Sequence, residues 1–283
     1  MGALMLATVL ILVAGESLTA GPVEVVAEGL KFTEGPVWLP GEGLIFSDIP
    51  ADTIYRSDKT VFRQPSGKSN GLALDTEGRL IACEHGNRRV TRTDRDGTIA
   101  VLADGYLGRK FNSPNDLVVR SDGTIFFSDP PYGLEKRDRE LPFNGVYALL
   151  PGGEVKVLSV YFKRPNGLAL SPDEQTLYIG DSGDGFIQVF DVAPDATLSN
   201  SRLLDEGVGP DGMKMDEGGR LWTSAHDGIR VYSAEGTLLQ TIAFPEQPAN
   251  CAFGDEDGKT LYVTARHGLY KVRCTVAGLR ARR

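Results

Sequence analysis

Six related three-residue phrases recur along this chain, and each begins with a residue that carries a side-chain oxygen. Successive phrases are 36, 45, 51, 45 and 39 residues apart. They read Glu34-Gly35-Pro36, Asn70-Gly71-Leu72, Asn115-Asp116-Leu117, Asn166-Gly167-Leu168, Asp211-Gly212-Met213 and Asn250-Cys251-Ala252. A self-similar period in this range indicates a repeat architecture. The repeat constrains the fold of the 283-residue chain more strongly than any single motif.

Each phrase opens a unit that repeats the same order of strands and turns. In the second unit an apolar strand at 72–74 precedes a turn at Asp75–Gly78, and a second strand follows at 80–83. The second strands are rich in β-branched and aromatic residues, and third and fourth strands follow in the same order. No long amphipathic helix pattern interrupts the units. Six units of four strands predict an all-β fold, a six-bladed β-propeller with four-stranded antiparallel blades.

The N-terminal segment has a predicted role in closing the ring. Only five fourth strands follow their third strands in sequence, which leaves the last unit one strand short. Val23–Ala27 precedes the first phrase just as the other fourth strands precede theirs. We therefore expect this strand to complete the last blade. The predicted organisation is a leader at residues 1–22, one propeller at 23–275 and a basic tail at 276–283.

The leader contains an almost unbroken apolar run at residues 3–14. This run has the length of a signal-peptide core and is too short to span a bilayer as a helix. No Lys or Arg precedes Glu16, which argues against a signal peptide, so a disordered segment or an extra strand stays open. The sequence slightly favours an exported protein, periplasmic or secreted, over a cytoplasmic one. No other stretch is a candidate membrane span, so we expect no membrane partner.

Composition excludes other partners and sites. The 38 Asp and Glu residues outnumber the 30 Lys and Arg residues, and the formal net charge is −8. Nucleic acid, whose phosphates attract basic side chains, is therefore not an expected partner. Cys83, Cys251 and Cys274 form no CxxC pair, which argues against a structural zinc site. We expect buried free thiols, although a bridge from Cys274 to either other cysteine stays open, as does the choice between monomer and dimer.

The repeat also predicts where a site would lie. In a propeller blade the first strand lines the central channel, so the six phrases are expected to meet at one mouth. The loops from second to third strands emerge at the same mouth, and they contain all three histidines, His85, His226 and His267. Carboxylate and amide oxygens suit a hard cation such as Ca²⁺. The mouth would carry six such residues: Glu34, Asn70, Asn115, Asn166, Asp211 and Asn250. Turn formation alone explains a single Asn-Gly, but not six acceptors in register.

Seven stretches resemble the senescence marker protein, gluconolactonase and luciferin-regenerating enzyme family, most closely its bacterial gluconolactonases. The resemblance extends from about Gly29 to Arg273. The stretches are FTEGPVW (32–38), CEHGNRRV (83–90), FNSPNDLVV (111–119), FSDPPYG (127–133), PNGLALSPDEQTLYIGD (165–181), PDGMKMD (210–216) and GKTLYVTA (258–265).

The resemblance implies a six-bladed propeller with one divalent metal ion, usually Ca²⁺, with Zn²⁺, Mn²⁺ or Mg²⁺ as alternatives. It implies hydrolysis of a small-molecule sugar lactone. By motif, Glu34 and Asn166 correspond to metal ligands, and Asp211 to a metal ligand that also acts as general base. Asn115 corresponds to a residue that binds metal or substrate. His85 and Tyr132 would lie around the substrate.

Other assignments and alternatives stay open. Asn70 and Asn250 are expected to line the channel beside the substrate. Asp129 may be read as a substrate contact, as support for the metal ligands or as a cap of its loop. Asp211 could attack as a nucleophile rather than act as a base. A propeller hydrolase of organophosphates or other esters is the alternative activity, and a noncatalytic calcium-binding propeller is the alternative class.

Overall fold

The structure, a computed structural model, describes residues 17–279. It contains six four-stranded antiparallel sheets arranged as the blades of a propeller, which confirms the predicted fold. The candidate signal-peptide core and the arginines of the basic tail lie outside the described residues. Within the described residues, no helix is long and apolar enough to cross a membrane.

The strands alternate with short turns along the whole described chain. An N-terminal strand, β1 (Glu24–Ala27), precedes the first three blades. These blades comprise β2 (Thr33–Leu39), β3 (Gly43–Asp48), β4 (Thr53–Arg56) and β5 (Val61–Arg63); β6 (Ser69–Leu74), β7 (Leu80–Glu84), β8 (Arg89–Thr93) and β9 (Ile99–Ala103); and, after a hairpin of β10 (Gly105–Tyr106) and β11 (Arg109–Lys110), β12 (Leu117–Val119), β13 (Ile125–Asp129), β14 (Gly145–Leu149) and β15 (Val155–Ser159).

The second half of the ring repeats this arrangement. One 3-10 helix, Lys136–Asp138, lies in the loop between β13 and β14. The last three blades comprise β16 (Pro165–Leu170), β17 (Thr176–Asp181), β18 (Phe186–Val192) and β19 (Leu198–Glu206); β20 (Met213–Met215), β21 (Leu221–Ala225), β22 (Gly228–Tyr232) and β23 (Leu238–Ile242); and β24 (Asn250–Gly254), β25 (Thr260–Ala265) and β26 (Gly268–Arg273).

The N-terminal strand closes the ring as predicted. β1 pairs antiparallel with β26, with Glu24 opposite Lys271. It thereby becomes the fourth strand of the sixth blade. Residues beyond the predicted limits of the propeller also bond to it: the Ala20 N–H donates to the Arg273 carbonyl at 2.8 Å, and the Leu279 N–H donates to the Met215 carbonyl at 2.9 Å.

Large side chains fill the spaces between neighbouring blades. Trp38 of the first blade stacks on Tyr262 of the sixth with ring centroids 5.9 Å apart. Trp222 of the fifth blade packs edge-on against Phe253 of the sixth at 5.2 Å. Both tryptophans therefore pack between blades. The three cysteines are buried free thiols, as predicted.

The glycine of the recurring phrase has a packing role around the channel. A Cβ atom on Gly35 would lie 1.9 Å from the Asn70 carbonyl oxygen of the next blade. One on Gly167 would lie 2.1 Å from the Asp211 carbonyl oxygen, which accepts the Gly167 N–H at 3.0 Å. Such close approach of two backbones requires glycine. The starts of neighbouring inner strands are therefore held together at the mouth.

Candidate active site

The six acceptors of the recurring phrases lie at the starts of the six inner strands, as expected. Five of their side chains are buried, and Asp211 is half-buried. The Asn115 backbone joins its own blade to the previous one: its N–H donates to the Ser128 carbonyl and its carbonyl accepts the Gly71 N–H, both at 2.8 Å. The other acceptors form smaller groups, and the side chains within each group are joined by hydrogen bonds or electrostatic interactions.

Asn250 joins carboxylates from two other blades. Its Nδ2 donates to Glu34 Oε2 at 3.1 Å and to Asp116 Oδ2 at 3.3 Å. Glu34 Oε2 also accepts the Gly35 N–H at 2.9 Å. Burial and then the negative charge of Asp116 raise the pKa of Glu34 to about 7. Two acidic side chains therefore share one buried amide donor at the mouth of the channel.

Asp116 is a site residue that we did not predict. It is 1% exposed, and its Oδ1 accepts the Leu117 N–H at 2.9 Å. Its charge raises the pKa values of both Glu34 and Asp211. The sequence held a signal, because Asp stands at 116 where four of the six phrases have glycine. That departure could have identified a third carboxylate beside the channel.

Asn166 is oriented by a side chain from its own blade. Its Nδ2 donates to Ser182 Oγ at 2.8 Å. Ser182 lies just after β17, in the loop that returns to the mouth. Within the described part of the chain, the buried Oδ1 of Asn166 has no hydrogen-bond partner. The amide therefore presents a free oxygen ligand, and Ser182 is a second residue absent from our predicted site.

Asp211 is electrostatically linked to the other acids. Its side chain is half-buried, and the surrounding protein removes enough water to raise its pKa well above the usual range. The charge of Glu34 and then that of Asp116 raise the pKa further. Asn166 and the guanidinium of Arg266 offset part of this rise. Glu34, Asn166 and Asp211, three of the four predicted metal ligands, therefore lie within one interacting group, and Asn115 is the fourth.

His85 contacts another of the six acceptors. Asn70 Nδ2 and His85 Nε2 lie 3.2 Å apart. Burial lowers the pKa of His85 to about 4, so the imidazole is neutral at pH 7. The Oδ1 atom of Asn70 is buried and has no partner among residues 17–279. This pair therefore offers neutral polar groups at the mouth.

Tyr132 lies beside the predicted metal ligands. Hydrogen bonds to Ser182 and Asn166 and the charge of Asp211 all act on its phenol. The Arg164 guanidinium lies over its ring, 5.7 Å from the centroid. Burial raises the pKa of Tyr132, so the phenol stays protonated at neutral pH. Tyr132 thus interacts with both the exposed guanidinium of Arg164 and the carboxyl group of Asp211.

The carboxyl group of Asp129 bonds to the protein backbone. Its Oδ2 accepts the Asn112 N–H at 2.8 Å, and burial raises its pKa to about 7. Carboxylates at the same strand end in two other blades accept backbone N–H groups in the same register: Asp48 from Lys31 and Phe32, and Asp181 from Lys163 and Arg164. These are the contacts of a loop cap, one of the three roles left open above. A contact between Asp129 and substrate stays a prediction.

The other two histidines border the mouth on the fifth and sixth blades. His226 Nδ1 lies 3.2 Å from Gln247 Nε2, and Gln247 Oε1 accepts a 2.7 Å hydrogen bond from Arg266. His267 Nδ1 lies 3.2 Å from Glu246 Oε2. Both pairs hold the loop before Asn250 and are exposed. This part of the mouth is exposed and polar, whereas Glu34 and Asp116 are buried.

The side-chain oxygens of Glu34, Asn166 and Asp211 fit a hard divalent cation. Carboxylate and amide oxygens are the ligands that Ca²⁺ prefers. Burial and then the neighbouring negative charges raise the pKa values of Glu34 and Asp211, and a bound cation would offset this cost. Across residues 17–279, no three His, Cys, Asp or Glu side chains converge as a metal centre. A cation at the mouth would therefore need the free oxygen of Asn166 as well.

A sequence model of the SMP-30/Gluconolactonase/LRE-like region matches residues 32–267. The chain belongs to this family. Within it, the chain is 37% identical over 236 residues to a gluconolactonase of Zymomonas mobilis, a match that covers 77% of this chain and 65% of that protein's length. It is 32% identical over 241 residues to regucalcin of Bos taurus, covering 78% of this chain and 79% of regucalcin.

Solved structures of family members share the propeller. A gluconolactonase from Xanthomonas campestris superposes with a TM-score of 0.82 at 36% identity, and the match covers 89% of each chain. The family resemblance inferred from seven sequence stretches is thereby confirmed.

Proposed function

We propose that this protein is a lactonase that hydrolyses a sugar lactone to its hydroxy acid. The reaction would use one divalent cation, and Ca²⁺ is the ion that we propose. Family membership and the gluconolactonase relatives support lactone hydrolysis. The observation that carries the metal requirement is the buried Oδ1 of Asn166, which has no partner among residues 17–279, on a side chain that interacts with Asp211 and, through Asp211, belongs to the same group as Glu34.

Three side chains of different blades would hold the cation: Glu34, Asn166 and Asp211. Asn115, at the start of the third inner strand, is our proposed fourth contact to the cation or to substrate. When bound, the cation supplies Lewis acidity, which polarises the lactone carbonyl and stabilises negative charge on its oxygen. Ser182 fixes the Asn166 amide so that its oxygen, rather than its nitrogen, is available. The second blade repeats this arrangement, with His85 beside the Asn70 amide.

Asp211 is the proposed general base. It would accept a proton from water as the water oxygen bonds to the carbonyl carbon. When the ring C–O bond breaks, that proton passes to the alkoxide and leaves a hydroxy acid. A neighbouring cation favours the ionised carboxylate that a base needs, and so opposes the pKa rise caused by burial. Attack by Asp211 itself is the competing mechanism.

Neutral groups around the acids would bind the hydroxyl groups of the sugar. His85 is neutral and paired with Asn70, whose Oδ1 is free to accept a hydrogen bond. The protonated phenol of Tyr132 can donate, and Asn250 lines the channel between two carboxylates. Such contacts orient a polyhydroxylated ring without adding charge to the site.

A lactone panel tests this function. Proton release from glucono-δ-lactone and other sugar lactones is measured after EDTA treatment and again after addition of Ca²⁺, Zn²⁺, Mn²⁺ or Mg²⁺. We expect EDTA to abolish hydrolysis and Ca²⁺ to restore it. Full turnover after chelation would contradict the metal requirement. Turnover of organophosphates or simple esters alone, or Ca²⁺ binding without any turnover, would favour the two alternatives given above.

A further inference from the structure

Two exposed arginines at the mouth, Arg164 and Arg266, stand outside the ion pairs of residues 17–279. Among residues 17–279, neither Arg164 nor Arg266 forms an ion pair with a carboxylate, whereas buried acids nearby bond to amides and backbone. Both side chains are exposed. In a chain with a net charge of −8, a guanidinium without a carboxylate partner is available for a ligand.

Both guanidiniums are linked to Asp211, that of Arg266 directly and that of Arg164 through Tyr132. Arg266 interacts electrostatically with Asp211. Arg164 lies over the ring of Tyr132, and the Tyr132 phenol interacts with both Arg164 and Asp211. The two arginines come from the fourth and sixth blades, on either side of the blade that carries Asp211. A ligand at Asp211 would therefore have a cation on each side.

Neighbouring side chains hold both arginines in place, and each guanidinium keeps N–H donors for a ligand. One Nη atom of Arg266 donates to Gln247 Oε1 at 2.7 Å, and Gln247 in turn contacts His226. A guanidinium has five N–H donors, so most of those of Arg266 remain available. The Arg164 guanidinium lies over the Tyr132 ring and, among residues 17–279, donates no side-chain hydrogen bond, so its donors are available as well. This arrangement suits a planar or tetrahedral oxyanion, which binds to the guanidinium edge.

We propose that the lactone bound at this site carries an anionic substituent, a phosphate, sulfonate or carboxylate, and that Arg164 and Arg266 bind it. The inference rests on the proposed lactonase function and specifies its substrate class. Neutral lactones would fit the same ring contacts without using either guanidinium. The anionic group would instead add charge-assisted hydrogen bonds at the mouth, outside the carboxylates that surround the scissile ester.

The test compares charged and neutral lactones with the metal-loaded protein. kcat/KM is measured for glucono-δ-lactone, its 6-phosphate, its 6-sulfonate analogue and a lactone bearing a free carboxylate. We expect at least one anionic lactone to exceed the neutral one by about tenfold or more at low salt. The ratio should fall as ionic strength rises, because exposed charges are screened. A ratio of one or less for every anionic lactone would overturn the proposal.

Charge-removal variants locate the effect. Arg164→Gln and Arg266→Gln should each lower the anionic-to-neutral ratio several-fold. Arg95 provides a matched control, because it is exposed in the turn between β8 and β9 at the opposite face and bonds only to a backbone carbonyl. Arg95→Gln should leave the ratio unchanged. Equal ratios in wild type and both mouth variants would contradict the proposal.

A binding measurement separates this inference from the lactonase proposal. Calorimetry with gluconate and gluconate 6-phosphate requires no turnover. We expect the phosphate to bind about tenfold more tightly to the wild type and to lose that advantage in Arg164→Gln. If no lactone is hydrolysed, the proposed function fails while this comparison still decides the anion site. Equal affinities for the two acids would overturn the inference.

Discussion

The Nδ2 atom of Asn166 donates a hydrogen bond to Ser182 Oγ at 2.8 Å, and the buried Oδ1 of Asn166 has no partner among residues 17–279. An asparagine side chain has two ends that differ in chemistry but hardly in shape. Ser182 selects the end that faces the site. The hydroxyl therefore orients the amide that we propose as a ligand of the cation.

Ser182→Ala should weaken metal binding about tenfold, because groups that orient a ligand typically matter at this level. Ser182→Thr keeps the hydroxyl and should retain most of the affinity. Ser201→Ala is the control, since Ser201 accepts a side-chain hydrogen bond on an exposed outer strand. Calorimetric Ca²⁺ titration of the three variants provides the measurement. Equal affinity in Ser182→Ala and wild type would contradict a positioning role.

The pKa of Glu34 predicts a pH-dependent stability of the metal-free protein. Because its pKa rises from 4.5 unfolded to about 7 folded, folding favours the protonated acid. Its stabilising contribution is present below about pH 4.5 and is lost as pH rises to about 7, a change of about 3 kcal/mol. Glu34→Gln should remove this contribution. Urea unfolding in EDTA at pH 5 and pH 8 measures the contribution. If the free energy of unfolding changed equally between these pH values in wild type and Glu34→Gln, the assignment to Glu34 would be refuted.

Asp129→Ala should destabilise the protein, by about 2 kcal/mol, because the buried N–H of Asn112 would lose its acceptor. The free energy of unfolding reports this directly. Asp104→Ala, at an exposed position, serves as the control and should change stability by less than about 0.5 kcal/mol. A raised KM without any loss of stability in Asp129→Ala would instead support the predicted contact with substrate.

Gly167→Ala should disrupt the inner ring. The added Cβ would lie 2.1 Å from the Asp211 carbonyl oxygen, so the two strands must separate. We expect a loss of about 3 kcal/mol in the free energy of unfolding, together with weaker metal binding. Gly152→Ala introduces the same methyl group where no atom lies within 4 Å. Thermal unfolding of both variants tests the close contact, which would be refuted by equal melting temperatures.

The repeat in the sequence predicted the fold and the level of the site because both follow from periodicity. Inner strands must begin at the same mouth once six equivalent units form a ring. Glu34 and Asp211, which depart from the more frequent Asn, supply acidic side chains at that level. Even the closing strand, β1, followed from counting the strands in each unit.

What the sequence did not predict depends on contacts between blades. Asp116 acts through Asn250, which is distant in sequence, and Ser182 acts across a loop from Asn166. The first relationship has no local pattern, whereas the second recurs in the repeat, because His85 stands beside Asn70 as Ser182 stands beside Asn166. Asp129 had a recognisable one, because Asp ends the second strand in the first, third and fourth blades. Comparing those strand ends could have predicted the loop cap before the structure was known.

The most direct test of the central claim is hydrolysis of glucono-δ-lactone by Ca²⁺-loaded Asp211→Asn, followed by proton release. The variant keeps the size of the side chain while removing the base, and circular dichroism verifies that the propeller remains folded. We predict that kcat falls about a thousandfold relative to wild type at saturating Ca²⁺. A folded, metal-loaded variant that hydrolyses the lactone at the wild-type rate would contradict the proposed role of Asp211.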